Sequence, residues 1–261
     1  MLGTHVRDRD GYLAGSDTDR LADLNGAIRD DSVDGIWFLR GGYGCMRLLA
    51  GVDYDALRRR PKPLIGYSDI TALHAAVGRI AGIVTFHGPV ARAPLPDDSC
   101  RSLRAAVTTR AQPAGMADEA RIVRGGRAVG VLAGGNLALL AALAGTPFAP
   151  DLRGAILVLE DVNEPVYRVD RMLQQLLLAG MLGELRGIAF GQLTGGPADE
   201  MGAARSLDVV LAELAESLHV PCIAGLPVGH MDNQWTLPLG AVATLDVDAR
   251  SLDVHMDIAI G

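Results

Sequence analysis

What the chain has little of narrows its chemistry first. Its 261 residues include three cysteines, Cys45, Cys100 and Cys222, widely scattered and without a Cys-x-x-Cys pair. That pattern argues against a disulfide framework or a thiolate metal site and fits a reducing, cytoplasmic compartment. Basic residues are outnumbered, 24 Lys and Arg against 31 Asp and Glu, for a net charge of −7. A nucleic-acid partner is not expected, because phosphate neutralisation needs the opposite excess. None of the six histidines falls in an H-E-x-x-H or similar pattern, so no metal is expected. The amino terminus carries Arg7, Asp8, Arg9 and Asp10 and no apolar core of a signal peptide. The stretch 128–150 is uncharged but contains Gly130, Gly134, Gly135, Gly145 and Pro147. It reads as a strand ending near Ala133 and a helix over 136–144, not as a membrane span.

What remains is a globular composition, 49% hydrophobic and 21% charged. Ser16 and Asp19 form a capping-box-like start for a helix that includes Leu21, Leu24 and Ile28. Apolar runs at 34–39, 63–66 and 83–86 predict strands, each followed by a polar or glycine-rich turn, with a helix over Ile70, Leu73, Val77 and Ile80. A short helix is expected at 43–49. This alternation is the rhythm of a parallel α/β sheet, whose ligands gather beyond the carboxyl ends of its strands. After Pro94 the character changes: one helix is predicted at 99–110, and strands at 121–123 and 128–132 flank Gly125-Gly126 as a hairpin. Further strands are expected at 155–159, 188–191, 222–225, 242–247 and 252–256, with helices at 167–182 and 201–218. The expected division is an N-terminal α/β unit over 1–95, a linker over 96–120 and a C-terminal unit over 121–261, with a site in the cleft between them.

Several residues are candidates for chemistry. Ser68 lies between an apolar strand and an amphipathic helix, where it is either a nucleophile on a sharp turn or a helix cap. The nucleophile pattern G-x-S-x-G is incomplete, since Gly66 is present but Ile70 stands at the second glycine's place. The loop Gly41-Gly42-Tyr43-Gly44 is either an oxyanion-donating turn or a plain tight turn; it matches neither a Walker loop nor G-x-G-x-x-G. Glu160 and Asp161 end an apolar strand, where a carboxylate either orients a histidine or is solvated. His230 follows a strand in a loop, a placement open to function or to simple exposure.

The order and wording of these segments resemble the LD-carboxypeptidase (muramoyltetrapeptide carboxypeptidase) family of serine peptidases. The resemblance runs through Arg40 to Gly44, Gly66 to His74, His87-Gly88-Pro89, Gly134 to Leu137, Gly145-Thr146-Pro147, Leu159-Glu160-Asp161, Tyr167 to Met172, Gly225 to His230 and Leu237 to Gly240. It implies a flavodoxin- or Rossmann-like N-terminal domain with a smaller, mainly β C-terminal domain, commonly as a homodimer. It also implies a Ser-Glu-His triad of Ser68, Glu160 and His230, with oxyanion donors at the backbone N–H groups of Gly42 and Asp69. Arg40 and Tyr43 are expected to bind substrate, with the Arg40 guanidinium suited to a terminal carboxylate or, alternatively, tied up in an internal ion pair. The implied activity is hydrolysis of an L,D-amide in a murein peptide without a cofactor. Microcin-immunity-type cleavage of aminoacyl-nucleotide amides and a non-catalytic binding role are the alternatives. Members of the family usually begin about forty residues earlier, with a first strand, and Leu2 to Val6 resemble only the tail of the second. The expectation is therefore an N-terminal sheet short of its first strand.

Overall fold

The computed structural model describes residues 1–91, 94–109, 111–195 and 205–255. Ser16 caps the first helix, α1 (Asp17–Arg29), by accepting the Asp19 amide at 3.1 Å. Three short strands follow, β1 (Ile36–Trp37), β2 (Leu64–Gly66) and β3 (Thr85–His87), paired parallel in that order. Parallel neighbours need crossovers, here supplied by α2 (Tyr54–Arg59) and α3 (Thr71–Ala81). β1 is shorter than the predicted 34–39 run, because Asp34 and Gly35 are exposed ahead of it, although Phe38 still donates to the Ile65 carbonyl at 3.0 Å. The helix expected at 43–49 is two 3-10 turns, Cys45–Arg47 and Leu49–Gly51. α4 (Asp97–Arg104) runs into a wider turn over Ala105–Thr109; Arg110, the predicted end, lies outside the described residues.

The remaining elements are β4 (Arg121–Arg124), β5 (Arg127–Asn136), α5 (Leu137–Leu143), β6 (Ala155–Glu164), α6 (Val166–Leu178), β7 (Gly187–Gly195), α7 (Leu207–Leu218), β8 (Cys222–Ala224), β9 (Leu237–Leu239), β10 (Val242–Asp246) and β11 (Ser251–Val254). The predicted starts and ends at 201–204 and Met256 fall outside the described residues. Strands β5 to β8 are parallel, and α5, α6 and α7 lie between them in sequence. The full order of this larger sheet is β11-β10-β5-β6-β7-β8-β4. The mixed α/β class expected from the sequence is therefore present, and the second sheet brings its own crossover helices. No helix among the described residues is long and apolar enough to cross a membrane.

The predicted hairpin across Gly125-Gly126 is a correction. β5 already has β10 on one side and β6 on the other, so β4 pairs antiparallel with the free edge of β8 instead. In a flat sheet, strand spacing would set β4 about 19 Å from β5, while the chain from Arg124 to Arg127 spans at most about 11 Å. The sheet must therefore curl until its β4 edge returns to β5. A buried cluster including Leu132, Ile156, Val158, Ile223, Val228, Leu237 and Leu245 covers one face, while α5, α6 and α7 pack on another cluster that includes Leu140, Leu157, Leu173, Phe190 and Leu214.

The two sheets are joined by more than the chain running from β3 to β4. β9 pairs antiparallel with β3 and completes the order β1-β2-β3-β9. Immediately after it, Leu132 on β5 donates to the Ala241 carbonyl and accepts the Gly240 amide, both at 2.8 Å. On the other side, Leu143 of α5 is buried in the cluster formed by Leu24, Leu57, Leu73 and Val77.

Within β5, still paired with Val158 of β6, Gly134 has φ +133°, and a Cβ there would lie 1.9 Å from the Val158 carbonyl oxygen. Backbone cannot yield like a flexible side chain, so Gly134→Ala is expected to cost at least about 2 kcal/mol or to prevent folding. Urea unfolding of the purified variant measures this.

Candidate functional site

β2 ends at Gly66, and one residue later the chain enters Ser68 with φ +63°. A serine held in the left-handed region between a strand and a helix is strained and projects its side chain from the turn. Gly66 permits the tight bend: a Cβ there would meet the buried Ile70 side chain at 2.9 Å. Ile70 thus fills the space that a second glycine would leave, which accounts for the incomplete G-x-S-x-G pattern. Ser68 is not the cap. The residues at the cap positions of the 68–70 turn and of α3 are Tyr67 and Ile70, neither with a side-chain capping bond.

The glycine-rich turn lies directly alongside. A Cβ on Gly41 would sit 3.0 Å from Ser68 Cβ and 3.2 Å from its Oγ, so glycine is what lets this backbone approach the hydroxyl. Two contacts fix the far end of the turn. The buried Asp69 carboxylate accepts the Cys45 amide at 2.9 Å, and Arg20 Nη2 donates to the Gly44 carbonyl at 2.8 Å. Asp69 therefore serves through its side chain as a brace between elbow and turn, a role the sequence did not announce. Arg40 is exposed, its guanidinium beside Gly42, and it makes no ion pair with a carboxylate among the described residues. Tyr43 is exposed, with its ring edge-on to Tyr12 at 5.7 Å between centroids.

Glu160 lies on β6 opposite Asn136 of β5 and is fully buried. Its Oε2 accepts from His230 Nδ1 at 2.7 Å. A carboxylate can only accept, so a neutral His230 carries its proton on Nδ1 and keeps Nε2 as a basic lone pair. The approach depends on Gly229, where φ is +106° and a Cβ would fall 2.6 Å from the same Glu160 oxygen. The His230 ring packs edge-to-face on Tyr67, with centroids 4.8 Å apart. Tyr67 immediately precedes Ser68, so the fold gathers all three sequence-predicted residues into one neighbourhood. The solvated alternative for Glu160 and Asp161 does not hold, since both are buried. Asp161 turns to the other side, accepting from Asn136 Nδ2 and the Ala138 amide at 2.9 Å each and so fixing the start of α5.

Two further histidines stand behind the elbow. His74 on α3 donates through Nε2 to the Gly66 carbonyl at 2.9 Å. His87, at the end of β3, is fully buried with its ring 6.2 Å from that of Tyr67 and 6.4 Å from that of His74. Burial lowers the pKa of His74 to about 4, partly offset by its bond to Gly66, and that of His87 to about 3. At the surface, His5, Asp8 and Asp19 form the one group among the described residues close enough to hold an ion. Opposite ring nitrogens of His5 face the two carboxylates, at 2.8 and 3.8 Å, an arrangement suited to bridging ion pairs and not to chelation.

Residues 1–88 match the domain family described as the LD-carboxypeptidase N-terminal domain, and residues 129–245 match the LD-carboxypeptidase C-terminal domain. The murein tetrapeptide carboxypeptidase of Pseudomonas aeruginosa is 40% identical over 259 residues, spanning 94% of this chain and 83% of that protein. Among solved structures, the muramoyltetrapeptide carboxypeptidase from Oxalobacter formigenes superposes with a TM-score of 0.86 at 30% identity, covering 96% of this chain and 86% of that one. The self-immunity protein MccF, in complex with glutamyl sulfamoyl guanosine, superposes with a TM-score of 0.85 at 25% identity, covering 97% and 84%.

The buried histidines set an acid limit on the fold. Unfolded, each imidazole binds a proton near the ordinary value of 6.5; folded, they do so only near 4 and 3. Unfolding therefore takes up protons between these values, and stability is complete above pH 6.5 and falls as the pH drops towards 4. The slope approaches roughly 1.4 kcal/mol per pH unit for each imidazole. Denaturant melts between pH 7 and 4.5 are expected to show this fall, with a shallower slope in His87→Phe.

Proposed function

Because the chain belongs to the LD-carboxypeptidase family of serine peptidases, we propose that it hydrolyses the L,D-amide bond that holds a terminal D-amino acid, releasing D-alanine from a murein tetrapeptide. The reading is carried by the Glu160–His230 hydrogen bond at 2.7 Å, set against Tyr67 beside the strained Ser68. His230 Nε2 takes the proton of Ser68 Oγ as that oxygen attacks the amide carbonyl. Glu160 keeps the other ring proton on Nδ1 and stabilises the imidazolium that forms. Backbone N–H groups of Gly42 and Asp69 receive the developing oxyanion. They suit the task because the Gly41-Gly42 backbone lies beside Ser68 and the leading amides of a helical turn have no intrahelical acceptor. The imidazolium then protonates the departing D-alanine amine, leaving an acyl-enzyme on Ser68. Water, deprotonated by His230, releases the shortened peptide.

A carboxypeptidase must also recognise its substrate's terminal carboxylate. Arg40 suits this role, since a guanidinium pairs bidentately with a carboxylate and this one, beside Gly42, has no internal carboxylate partner among the described residues. Tyr43, exposed on the same turn, lines the approach. The three free cysteines agree with a reducing cytoplasm, where murein fragments would be recycled.

Ser68→Ala is expected to lower D-alanine release from a tetrapeptide by roughly 10⁴-fold or more, and to abolish labelling by a fluorophosphonate probe. Parent-like turnover by that variant would overturn the proposal. Running the assay beside an aminoacyl sulfamoyl nucleoside tests the alternative substrate class, which would be favoured if only that compound were cleaved. Arg40→Ala is expected to raise KM about tenfold or more with a small change in kcat, measured by steady-state kinetics on the same peptide.

A further inference from the structure

α4 lies in sequence between β3 and β4. Its Ser99 and Ser102, three positions apart and so on one helix face, are both buried, at 0% and 6% exposure. A buried hydroxyl is costly unless hydrogen-bonded, and alanine would serve the helix better. Each of these hydroxyls reaches outside its helix with both its donor and its acceptor. Ser99 Oγ accepts the Gln234 amide at 2.9 Å and donates to the Asp232 carbonyl at 3.1 Å. Ser102 Oγ accepts the Thr236 amide at 2.7 Å and donates to the Pro113 carbonyl at 2.6 Å.

The segment 232–236 is the exit limb of the loop that carries His230. The entry limb is fixed elsewhere: Gln192 of β7 donates to the Val228 carbonyl at 2.9 Å, and Trp235 closes the loop's base on the Pro227 carbonyl at 2.6 Å. His230 thus hangs between a limb anchored on β7 and a limb anchored on α4. The tip itself is shaped for one arrangement, since Gly229 packs on Glu160 without space for a Cβ. We infer that Ser99 and Ser102 are positioning residues that hold the exit limb so that the His230 Nδ1–H stays on Glu160 and Nε2 stays in register with Ser68. Small displacements suffice to matter, because a misplacement of about 1 Å can cost on the order of 10²-fold in rate. The inference rests on the role proposed above for His230.

The test compares Ser99→Ala, Ser102→Ala and the double variant with Thr108→Ala as a control, since Thr108 bonds only the Arg104 carbonyl of its own segment. Tetrapeptide kinetics are expected to show kcat reduced about tenfold or more in the double variant, KM within twofold of the parent, and Thr108→Ala unchanged. Proton NMR of the folded proteins supplies a second readout: the downfield Nδ1–H resonance, assigned by its loss in His230→Gln, is expected to broaden or vanish in the double variant. Should the double variant fail to fold, the single variants carry the same two measurements with smaller changes. Parent-like kcat together with an intact resonance in folded Ser99→Ala and Ser102→Ala would overturn the inference. So would a loss of activity that only tracks the unfolded fraction. If Ser68→Ala were itself fully active, the functional reading would fail instead, and the resonance would still report whether α4 orders the loop.

Discussion

A carboxylate removed from water must be compensated, and Glu160 is fully buried on a central strand of the larger sheet. Its bond to the His230 ring supplies a strong, directed partner. Much of the surrounding structure exists to make that meeting feasible. β6 is flanked on both sides; Glu160 pairs in register with Asn136 of β5, while the ladder to β7 shifts register between Leu159 and Asp161. Gly229 removes the one atom that would keep the two side chains apart. The adjacent Asp161 is drawn the other way by Asn136 and the Ala138 amide, so the two neighbouring acids take up different roles.

The second constraint is the left-handed conformation of Ser68, which costs on the order of 1–3 kcal/mol and persists only where its surroundings enforce it. Those surroundings can be named. Ile70 packs over Gly66, the Asp69 carboxylate holds the Cys45 amide, and Asn136 donates its amide to Thr71 Oγ1 at 2.9 Å. The last of these bonds runs from the end of β5 to the start of α3. It ties the start of the helix that follows the serine to the β5 residue paired with Glu160.

Much of this was legible in the residues. The alternation of periods gave the α/β class, but the punctuation of strands by polar loops marked Ser68, the glycine turn, Glu160 and His230 only as candidates open to plain structural readings. It was the family resemblance that grouped Ser68, Glu160 and His230 into one expected site. Other features were not legible, for physical reasons. Gly125-Gly126 carries a good local turn signal, but which strand accepts β4 is decided by edges made free or occupied by distant segments. Whether Glu160 is solvated or orients a histidine stays open in the sequence, because burial of an acid shows only once its partner, 70 positions away, is in place. Ser99 and Ser102 look like ordinary polar residues near a helix start, and nothing local reveals acceptors and donors more than 130 positions downstream.

The placement of β9 beside β3 bears on the order of events during synthesis. Residues 85–87 emerge early, yet the strand that covers their open edge spans 237–239. At bacterial or eukaryotic translation speeds, roughly 5–20 residues per second, that edge waits about 8–30 s for its partner. The nascent chain therefore carries an uncovered β3 edge while β4 to β8 of the larger sheet are being made. Until that late strand docks, the open edge is a template for edge-to-edge association, a hazard that β9 removes when it pairs.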